Sequence, residues 1–288
     1  MRKLFAGLLF FWSVCSWSYQ WPVDRIVLTG TFGESRWTHF HNGIDLGGGE
    51  QDIRPIEEGE VVFRFEENGS PDALPSGMGN FIVVEHNQRV RSLYAHMKPG
   101  SMNTAENTVG TDTVLGRVGE SGGSYGKHLH LTVIDGDFNQ VINPLIVLPS
   151  RIDGVRPRIN GLYAKSGASL TPLAANMSLA TGTYRLLISV QDPSGDVDYY
   201  MPMAPYKITF FMNGEEITDY SFENIRRKDG RSVLYKSDDV SFQDMYLDEW
   251  LINLGEIHFL PGETVLEVIA MDIAENTAIR SYKLQVVP

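Results

Sequence analysis

The sequence has a single cysteine, Cys15, so it forms no intrachain disulfide, and its fold must depend on a hydrophobic core or a bound metal. Basic residues are scarce as well: 24 Lys and Arg stand against 36 Asp and Glu, for a formal net charge of -12. This acidic balance argues against a nucleic-acid partner, which calls for a positive surface. It also leaves no polybasic patch for anionic lipids.

Long apolar runs are missing, apart from a short one at the N-terminus. Two basic residues precede an apolar run over residues 4–14, and small side chains follow at positions 16 and 18. This order is typical of a secretory signal peptide, and the run is too short to span a bilayer. We therefore predict that residues 1–18 are removed on export to the periplasm or cell envelope, leaving no transmembrane segment. Lipidation of Cys15 is the alternative, and it would also export the chain.

A stretch rich in proline, with an Asp-Gly pair, lies between residues 143 and 157 and is typical of a domain boundary. Residues 19–150, before it, hold six of the seven histidines. Short β-rich runs separated by glycine- and asparagine-rich turns predict an antiparallel β domain there. The runs cover residues 59–65, 80–85, 90–94 and 128–134.

Residues 151–288 have a different pattern, with four strand-like runs and no long helical period. Asn213-Gly214 between two such runs is a strong hairpin signal. We predict an immunoglobulin-like β-sandwich of unknown role, with one short helix near residues 242–251 and a solvated turn at the basic run 226–228. The whole chain is thus expected to be mainly all-β. The four runs cover residues 184–190, 207–212, 264–271 and 278–287.

Five residues of the first domain could form a metal site. His41 and Asp45 are four residues apart, while His128 and His130 alternate at the start of a β-like run and so can face one side. His96 ends another such run. Each pair alone is more often structural, but together they supply the nitrogen and oxygen ligands of a catalytic zinc site. In such a site zinc makes water more acidic and polarises a carbonyl, and the remaining histidines can move a proton.

The motifs that carry these residues resemble those of the lysostaphin-type (LytM-like) zinc endopeptidases. Their order and spacing match over about residues 28–135. The resemblance implies that His41, Asp45 and His130 ligate one zinc ion, and that His96 and His128 face the catalytic water and stabilise the transition state. It also implies a small antiparallel sheet with a groove along it. The matching segments are Phe32-Gly33, His41-Asn42-Gly43-Ile44-Asp45-Leu46, Gly79-Asn80-Phe81-Ile82-Val83-Val84-Glu85-His86, Leu93-Tyr94-Ala95-His96-Met97, Gly116-Arg117-Val118-Gly119 and Gly126-Lys127-His128-Leu129-His130-Leu131.

The family cleaves peptide bonds in the stem or cross-bridge of bacterial peptidoglycan, so the resemblance implies an exported zinc metalloendopeptidase that acts on peptidoglycan. One alternative is a non-catalytic LytM-like regulator that activates a separate cell-wall amidase. Such regulators usually lack some of the five residues, all of which are present here. Another alternative is cleavage of a protein substrate at glycine-rich bonds. No partner for the second domain can be named from its sequence.

Some positions depart from the family pattern without replacing a ligand. Thr132 stands where the family often has Glu, and Lys127 stands where Pro is common, so we expect differences in the groove. Residues 66–78 form an enlarged loop, which either contacts substrate or is a solvated insertion. Arg36 either contacts substrate or forms a scaffold hydrogen bond, and the Tyr94 hydroxyl either reaches the site or packs in the core.

Overall fold

The structure, a computed structural model, describes residues 19–67, 76–197, 203–235 and 237–288. The expected signal peptide, with Cys15, and residues 68–75 of the expected enlarged loop lie outside the described residues. The described chain is nearly all β, as predicted, and its strands pair antiparallel with one exception. None of its helices has the length and hydropathy needed to cross a membrane.

The N-terminal half, residues 19–150, contains ten strands within its described part. A 3-10 turn covers Asn87–Arg89. Helix α1 covers Pro144–Val147, where the Asn143 side chain accepts a hydrogen bond from the Leu145 amide and caps the first turn. The strands are β1 Leu28–Gly30, β2 Ile44–Leu46, β3 Asp52–Ile53, β4 Gly59–Phe65, β5 Phe81–Glu85, β6 Val90–Ala95, β7 Thr108–Val109, β8 Gly116–Arg117, β9 Leu129–Asp135 and β10 Gln140–Ile142.

The C-terminal half, residues 151–288, contains eleven strands within its described part. Helix α2 covers only Phe242–Met245 and is capped by Ser241, so it is shorter than the helix predicted for residues 242–251. The strands are β11 Arg158–Ser166, β12 Ser169–Pro172, β13 Ser178–Ala180, β14 Gly182–Gln191, β15 Lys207–Met212, β16 Glu215–Ser221, β17 Asn224–Lys228, β18 Arg231–Leu234, β19 Ile252–Phe259, β20 Gly262–Met271 and β21 Thr277–Val287.

The main sheet has the strand order β18-β17-β10-β9-β6-β5-β4-β7, and β2 joins it by pairing with β9. Its register places Asp45 opposite His130, and His130 opposite Ala95. Because successive side chains on a strand face opposite sides, these residues share one face while Tyr94 and Leu131 share the other. Tyr94 is fully buried, and its hydroxyl accepts a hydrogen bond from the Ile56 amide, so it packs in the core.

The C-terminal half forms the predicted β-sandwich. One sheet has the order β12-β11-β14-β19 and the other has the order β13-β21-β20-β15-β16. Buried side chains from both sheets pack into one hydrophobic cluster, as in aligned sandwiches. The predicted hairpin is present between β15 and β16. Asn213 and Gly214 both have positive φ angles, of 52° and 83°, as a two-residue turn of this type requires.

The expectation of a solvated turn at residues 226–228 is wrong, because these residues lie on strand β17. The turn follows at Asp229 and Gly230, which have φ angles of 49° and 79°. Side chains of Arg226 and Lys228 both pair with Asp239. The positive charge of the basic run is therefore neutralised in part by Asp239.

The two halves share a sheet and a core. Strand β10 of the N-terminal half pairs with β17 of the C-terminal half. One hydrophobic cluster lies within residues 23–148, and the other lies within residues 162–286 but also includes Phe32 and Phe40. The domain boundary near residue 150 stays a prediction, and the contact between the halves is extensive.

One carboxyl group of the sandwich, that of Asp192, has a buried oxygen atom, Oδ1, without a hydrogen-bond partner among the described residues. Burial, together with the nearby carboxylates of Asp272 and Asp153, raises the pKa of Asp192 to about 8. Between pH 3.8 and about 8, the Asp192 carboxyl therefore binds more protons in the folded chain than in the unfolded chain. In that window the contribution of Asp192 to the free energy of unfolding falls as the pH rises.

We expect Asp192→Asn to remove this pH dependence, because an amide stays neutral. The melting temperature of the variant should exceed that of the wild type by an amount that grows from pH 4 to pH 8 and is constant at higher pH. The difference in unfolding free energy grows by at most about 1.4 kcal/mol per pH unit. Thermal melts followed by circular dichroism measure it. A difference that does not change with pH would contradict the assignment.

Candidate metal centre

Three side chains on the cleft face of the main sheet bring one ligand atom each to a common point. His41 Nε2 lies 3.1 Å from Asp45 Oδ1 and 3.0 Å from His130 Nδ1, and His130 Nδ1 lies 3.0 Å from Asp45 Oδ1. All three residues are buried. For ligands about 2.0–2.1 Å from zinc, two corners of a tetrahedron are about 3.3–3.4 Å apart. The triangle of ligand atoms is close to that size.

The partners on the outer side of each ring indicate which ring nitrogens can face the shared point as lone pairs. His41 Nδ1 donates to the carbonyl oxygen of Thr31 at 2.8 Å, so the neutral ring has a lone pair at Nε2. His130 Nε2 lies 2.9 Å from the Thr132 hydroxyl, and donation there leaves a lone pair at Nδ1. The ionised Asp45 carboxylate only accepts. With both rings in these tautomers, three lone pairs meet at one point, and this donor set fits a zinc ion.

A close approach of two backbone segments makes this geometry possible. Gly43 lies between His41 and β2, and a Cβ atom at this position would overlap the Leu131 carbonyl oxygen on β9. Glycine lets the chain pass against β9, so that Asp45 pairs directly with His130. The spacing of His41 and Asp45 therefore depends on the small residue between them.

A buried ion network holds the outer oxygen of Asp45. An Arg36 guanidinium nitrogen lies 2.5 Å from Asp45 Oδ2 and 2.7 Å from Glu34 Oε1. Arg36 therefore forms the scaffold contact that was one of its two predicted roles. The contact leaves Asp45 Oδ1 directed at the two histidines. Glu34, which no sequence pattern indicated, is fully buried against Thr31, whose amide donates to Glu34 Oε2 at 2.7 Å.

Burial and charge set the protonation of the candidate ligands. Burial lowers the pKa of His41 to about 4, so its ring is neutral at neutral pH. Burial alone would raise the pKa of Asp45, but His41, His130 and Arg36 together hold it well below its ordinary value. Metal ligation needs neutral imidazole and ionised carboxylate, which are the forms that these shifts favour.

His96 and His128 lie beside the three candidate ligands. Their ring centroids are 4.7 Å apart, and His128 Nε2 lies 3.6 Å from Asp45 Oδ1. His96 Nδ1 donates to the Ser121 carbonyl and His128 Nδ1 donates to the Gly126 carbonyl, so each ring can hold a lone pair at Nε2. Burial lowers the pKa of His96 to about 4, which keeps it neutral at neutral pH.

The other histidines lie outside this cluster. His39 is an exposed loop residue at the rim of the cleft that holds the five residues. His86 is buried, with Nε2 2.6 Å from the Ser92 hydroxyl. His258 lies on the sandwich beside Thr183. Of the sequence-predicted site residues, the structure brings together all five, and their roles are proposed below.

Comparison with known proteins agrees with this geometry. Residues 39–144 match the model of peptidase family M23. This segment of the N-terminal half is called the M23 domain here, after the family that it matches. A separate family model matches residues 156–287. The resemblance to lysostaphin-type peptidases is thereby confirmed for the M23 domain.

Relatives of the M23 domain occur in two Neisseria species. Over 113 residues, 38% of this chain, it is 32% identical to the DD-carboxypeptidase/endopeptidase Mpg of Neisseria meningitidis serogroup B. It is 31% identical to the protein of the same name from Neisseria gonorrhoeae. The chain spans only 23% of the length of these curated relatives.

Two solved catalytic domains are similar to the M23 domain at low identity. The catalytic domain of the prophage-encoded protein EnpA from Enterococcus faecalis is 24% identical, with a TM-score of 0.35, and the match covers 42% of this chain and 90% of that chain. The catalytic domain of lysostaphin from Staphylococcus simulans is 22% identical, with a TM-score of 0.32, and the match covers 38% and 80%.

A departure from the family pattern lies directly at the M23 site. Thr132, where the family often has Glu, contacts the nitrogen of His130 that faces away from the candidate metal position. A partner at this nitrogen selects the tautomer of a ligating histidine. The Thr132 hydroxyl is therefore placed to orient the His130 ring.

We expect Thr132→Val to lower the zinc affinity by about 10–100-fold, since His130 loses the acceptor that keeps its lone pair at Nδ1. Competition with a chromophoric chelator measures the dissociation constant. Thr209→Val is the matched control, because it removes a buried hydroxyl that donates to Asp219 at 2.9 Å in the sandwich. Unchanged zinc affinity in Thr132→Val would show that the hydroxyl does not orient His130.

Proposed function

We propose that the protein is an exported zinc-dependent endopeptidase that hydrolyses peptide cross-links or stem peptides of bacterial peptidoglycan. The observation that carries this proposal is the convergence of His41 Nε2, Asp45 Oδ1 and His130 Nδ1 within 3.1 Å of one another. The match to peptidase family M23 supports the reaction class. Removal of residues 1–18 on export and a domain boundary near residue 150 are parts of the same proposal.

The same three residues would hold one zinc ion per chain. When bound, zinc supplies Lewis acidity, which makes water a stronger acid and polarises a carbonyl. The protein supplies the orientation of its ligands through Thr31, Arg36 and Thr132, each of which holds an atom of a ligand that points away from the shared position. These contacts fix the ligands before any ion arrives.

We propose that His96 and His128 move protons and stabilise the transition state. The Nδ1 atoms of both rings are held by backbone carbonyls, so the Nε2 atoms are available in the cleft. A neutral imidazole can accept a proton from the attacking water at Nε2 and deliver it to the leaving amine. The protonated ring can also donate to the oxyanion that develops on the scissile carbonyl.

The five residues line an open cleft with a volume of about 960 Å³, within the range of small-molecule and peptide sites. Two exposed aromatic residues, Trp37 and Tyr125, lie on its rim. Trp37 has a φ angle of 63°, which is costly for a bulky residue and which its tight loop maintains. We propose that these rings contact the substrate peptide at the rim of the cleft.

The proposal is tested with the purified mature chain. We expect the chain to contain one zinc ion and, when incubated with isolated cell walls, to release peptide-cleaved muropeptides that mass spectrometry identifies. Absence of hydrolysis by the zinc-loaded protein on several wall types would refute the enzymatic role. Activation of an amidase by the zinc-free protein would favour a regulator. Cleavage of glycine-rich peptides alone would favour a protein substrate.

The division of roles among the histidines gives a separate prediction. His130→Ala should lose zinc, because only two of the three ligands remain. His128→Ala should retain zinc but lose about 10²–10⁴-fold in kcat, because a proton carrier is removed. Metal analysis and kinetics on the same preparations measure both quantities. Equal loss of zinc in the two variants would show that the assignment is wrong.

A substrate contact at the cleft rim predicts an effect on binding. Trp37→Ala should raise KM about 3–10-fold with little change in kcat, as expected for the loss of about 0.5–1.5 kcal/mol of aromatic contact. Trp37 is 74% exposed, so the substitution should leave stability nearly unchanged. Phe138→Ala is the control, since Phe138 is 75% exposed and is not among the residues that line the cleft. An equal KM in the two variants contradicts the contact.

A further inference from the structure

One loop of the M23 domain contacts the candidate metal ligands on one face and packs against the C-terminal half on the other. The loop, residues 31–41, is called the ligand loop here because it ends at His41. It is closed by hydrogen bonds from the Gly33 amide to the His41 carbonyl and from the His41 amide to the Glu34 carbonyl, both 2.8 Å long. A displacement at one side of this closed loop is therefore transmitted to the other side.

The first face of the ligand loop holds the candidate metal ligands. The Thr31 carbonyl fixes the His41 ring through Nδ1, and Arg36 fixes Asp45 through Oδ2. Arg36 is in turn held by Glu34. The contact that holds His41 at Nδ1 and the contact that holds Asp45 at Oδ2 thus both come from this short segment.

The second face of the ligand loop is buried in the C-terminal half. Phe32 and Phe40 are 1% and 2% exposed and belong to the hydrophobic cluster of the sandwich half, and the Phe40 ring lies 5.4 Å from that of Phe242 in an edge-to-face arrangement. The Phe222 ring packs so closely on Gly33 that a Cβ atom there would overlap it. Gly33 has a φ angle of 81°, so a side chain is excluded on both grounds.

Buried hydrogen bonds join the same two surfaces. The Tyr246 hydroxyl donates to the Gly33 carbonyl at 3.0 Å, and the Thr31 hydroxyl lies 3.1 Å from the Ala204 carbonyl. Just before the loop, the Leu28 amide donates to Asp196 and the Leu28 carbonyl accepts from Ser194. The C-terminal half therefore holds the backbone of Leu28 and Gly33 and the side chain of Thr31 by hydrogen bonds.

We infer that the C-terminal half is a positioning element of the metal site, and that Tyr246 is a positioning residue for His41. Among the described residues of the sandwich half, none forms a hydrogen bond or ion pair with a candidate ligand, but they set the position of the loop whose other face orients two of the three ligands. Zinc binding and docking of the C-terminal half are then energetically coupled. This inference rests on the proposed zinc site.

The substitution Tyr246→Phe tests the inference, because it removes one hydroxyl and keeps the ring. We expect the zinc dissociation constant, measured by chelator competition, to rise about 3–10-fold, less than for a partner that touches a ligand directly. Tyr220→Phe is the matched control. Tyr220 is buried in the same cluster to the same 8% exposure, and its hydroxyl donates to the Asn253 carbonyl at 2.8 Å, away from the ligand loop.

The comparison separates positioning from general loss of stability. Both variants should lose a similar amount of thermal stability, while only Tyr246→Phe should bind zinc more weakly. An unchanged zinc affinity in Tyr246→Phe, or an equal weakening in Tyr220→Phe, overturns the inference. A wild-type chain that binds no zinc overturns the proposed function itself, so the two failures are distinguishable.

Coupling between two sites is reciprocal, which gives a second measurement that needs no variant to fold. Zinc added to the wild-type chain should slow hydrogen exchange at the amides of helix α2 and of Tyr246, which follows the helix and whose amide donates to the Phe242 carbonyl. Exchange at the remote hairpin of β15 and β16 should not change. Equal exchange at α2 with and without zinc contradicts the coupling.

Discussion

The organisation of this protein depends on the repulsion among three electron-pair donors that lie close together in a buried site. Two imidazole lone pairs and a carboxylate oxygen point at one buried position, and a cation is what relieves their mutual repulsion. The three side chains cannot move apart to relieve this repulsion, because each is held at the atom that points away from the shared position. His41 is held by a carbonyl, Asp45 by Arg36 and His130 by Thr132. The surrounding fold is arranged to keep these groups together.

The antiparallel register translates a sequence pattern into this arrangement. Asp45 and His130 are directly paired across β2 and β9, so they lie on the same face without any help from loops. The same alternation sends Tyr94 and Leu131 to the hydrophobic side. One shift of register would exchange the two sets, so the core residues also specify which side of the sheet carries the polar cluster.

Much of this could be read from the sequence, and the reasons are physical. The His-x-His pair and the strand ends are local patterns, and the boundaries of β4 and β15 follow directly from β-rich runs between turn residues. The network of Glu34 with Arg36 could not be predicted, because a glutamate in a loop has no periodic signal and becomes buried only when a distant segment packs over it. The role of Phe32 and Phe40 was hidden for the same reason, since their partners are about two hundred residues away in the chain. The basic run at 226–228 was misread because its neutralising partner, Asp239, lies beyond the next strand.

The pairing of β10 with β17 has a consequence for how the chain can be divided. Strands β17 and β18 belong to the second half of the sequence, yet they extend the sheet of the first half and cover the edge of β10. Cutting the chain at the boundary that its sequence suggests would bare a row of unpaired backbone amides and carbonyls, together with Phe32 and Phe40. Such an edge invites association with other chains. The β17–β18 hairpin thus protects the edge of β10 from pairing with another chain. The two halves are therefore better regarded as one folding unit than as two independent domains.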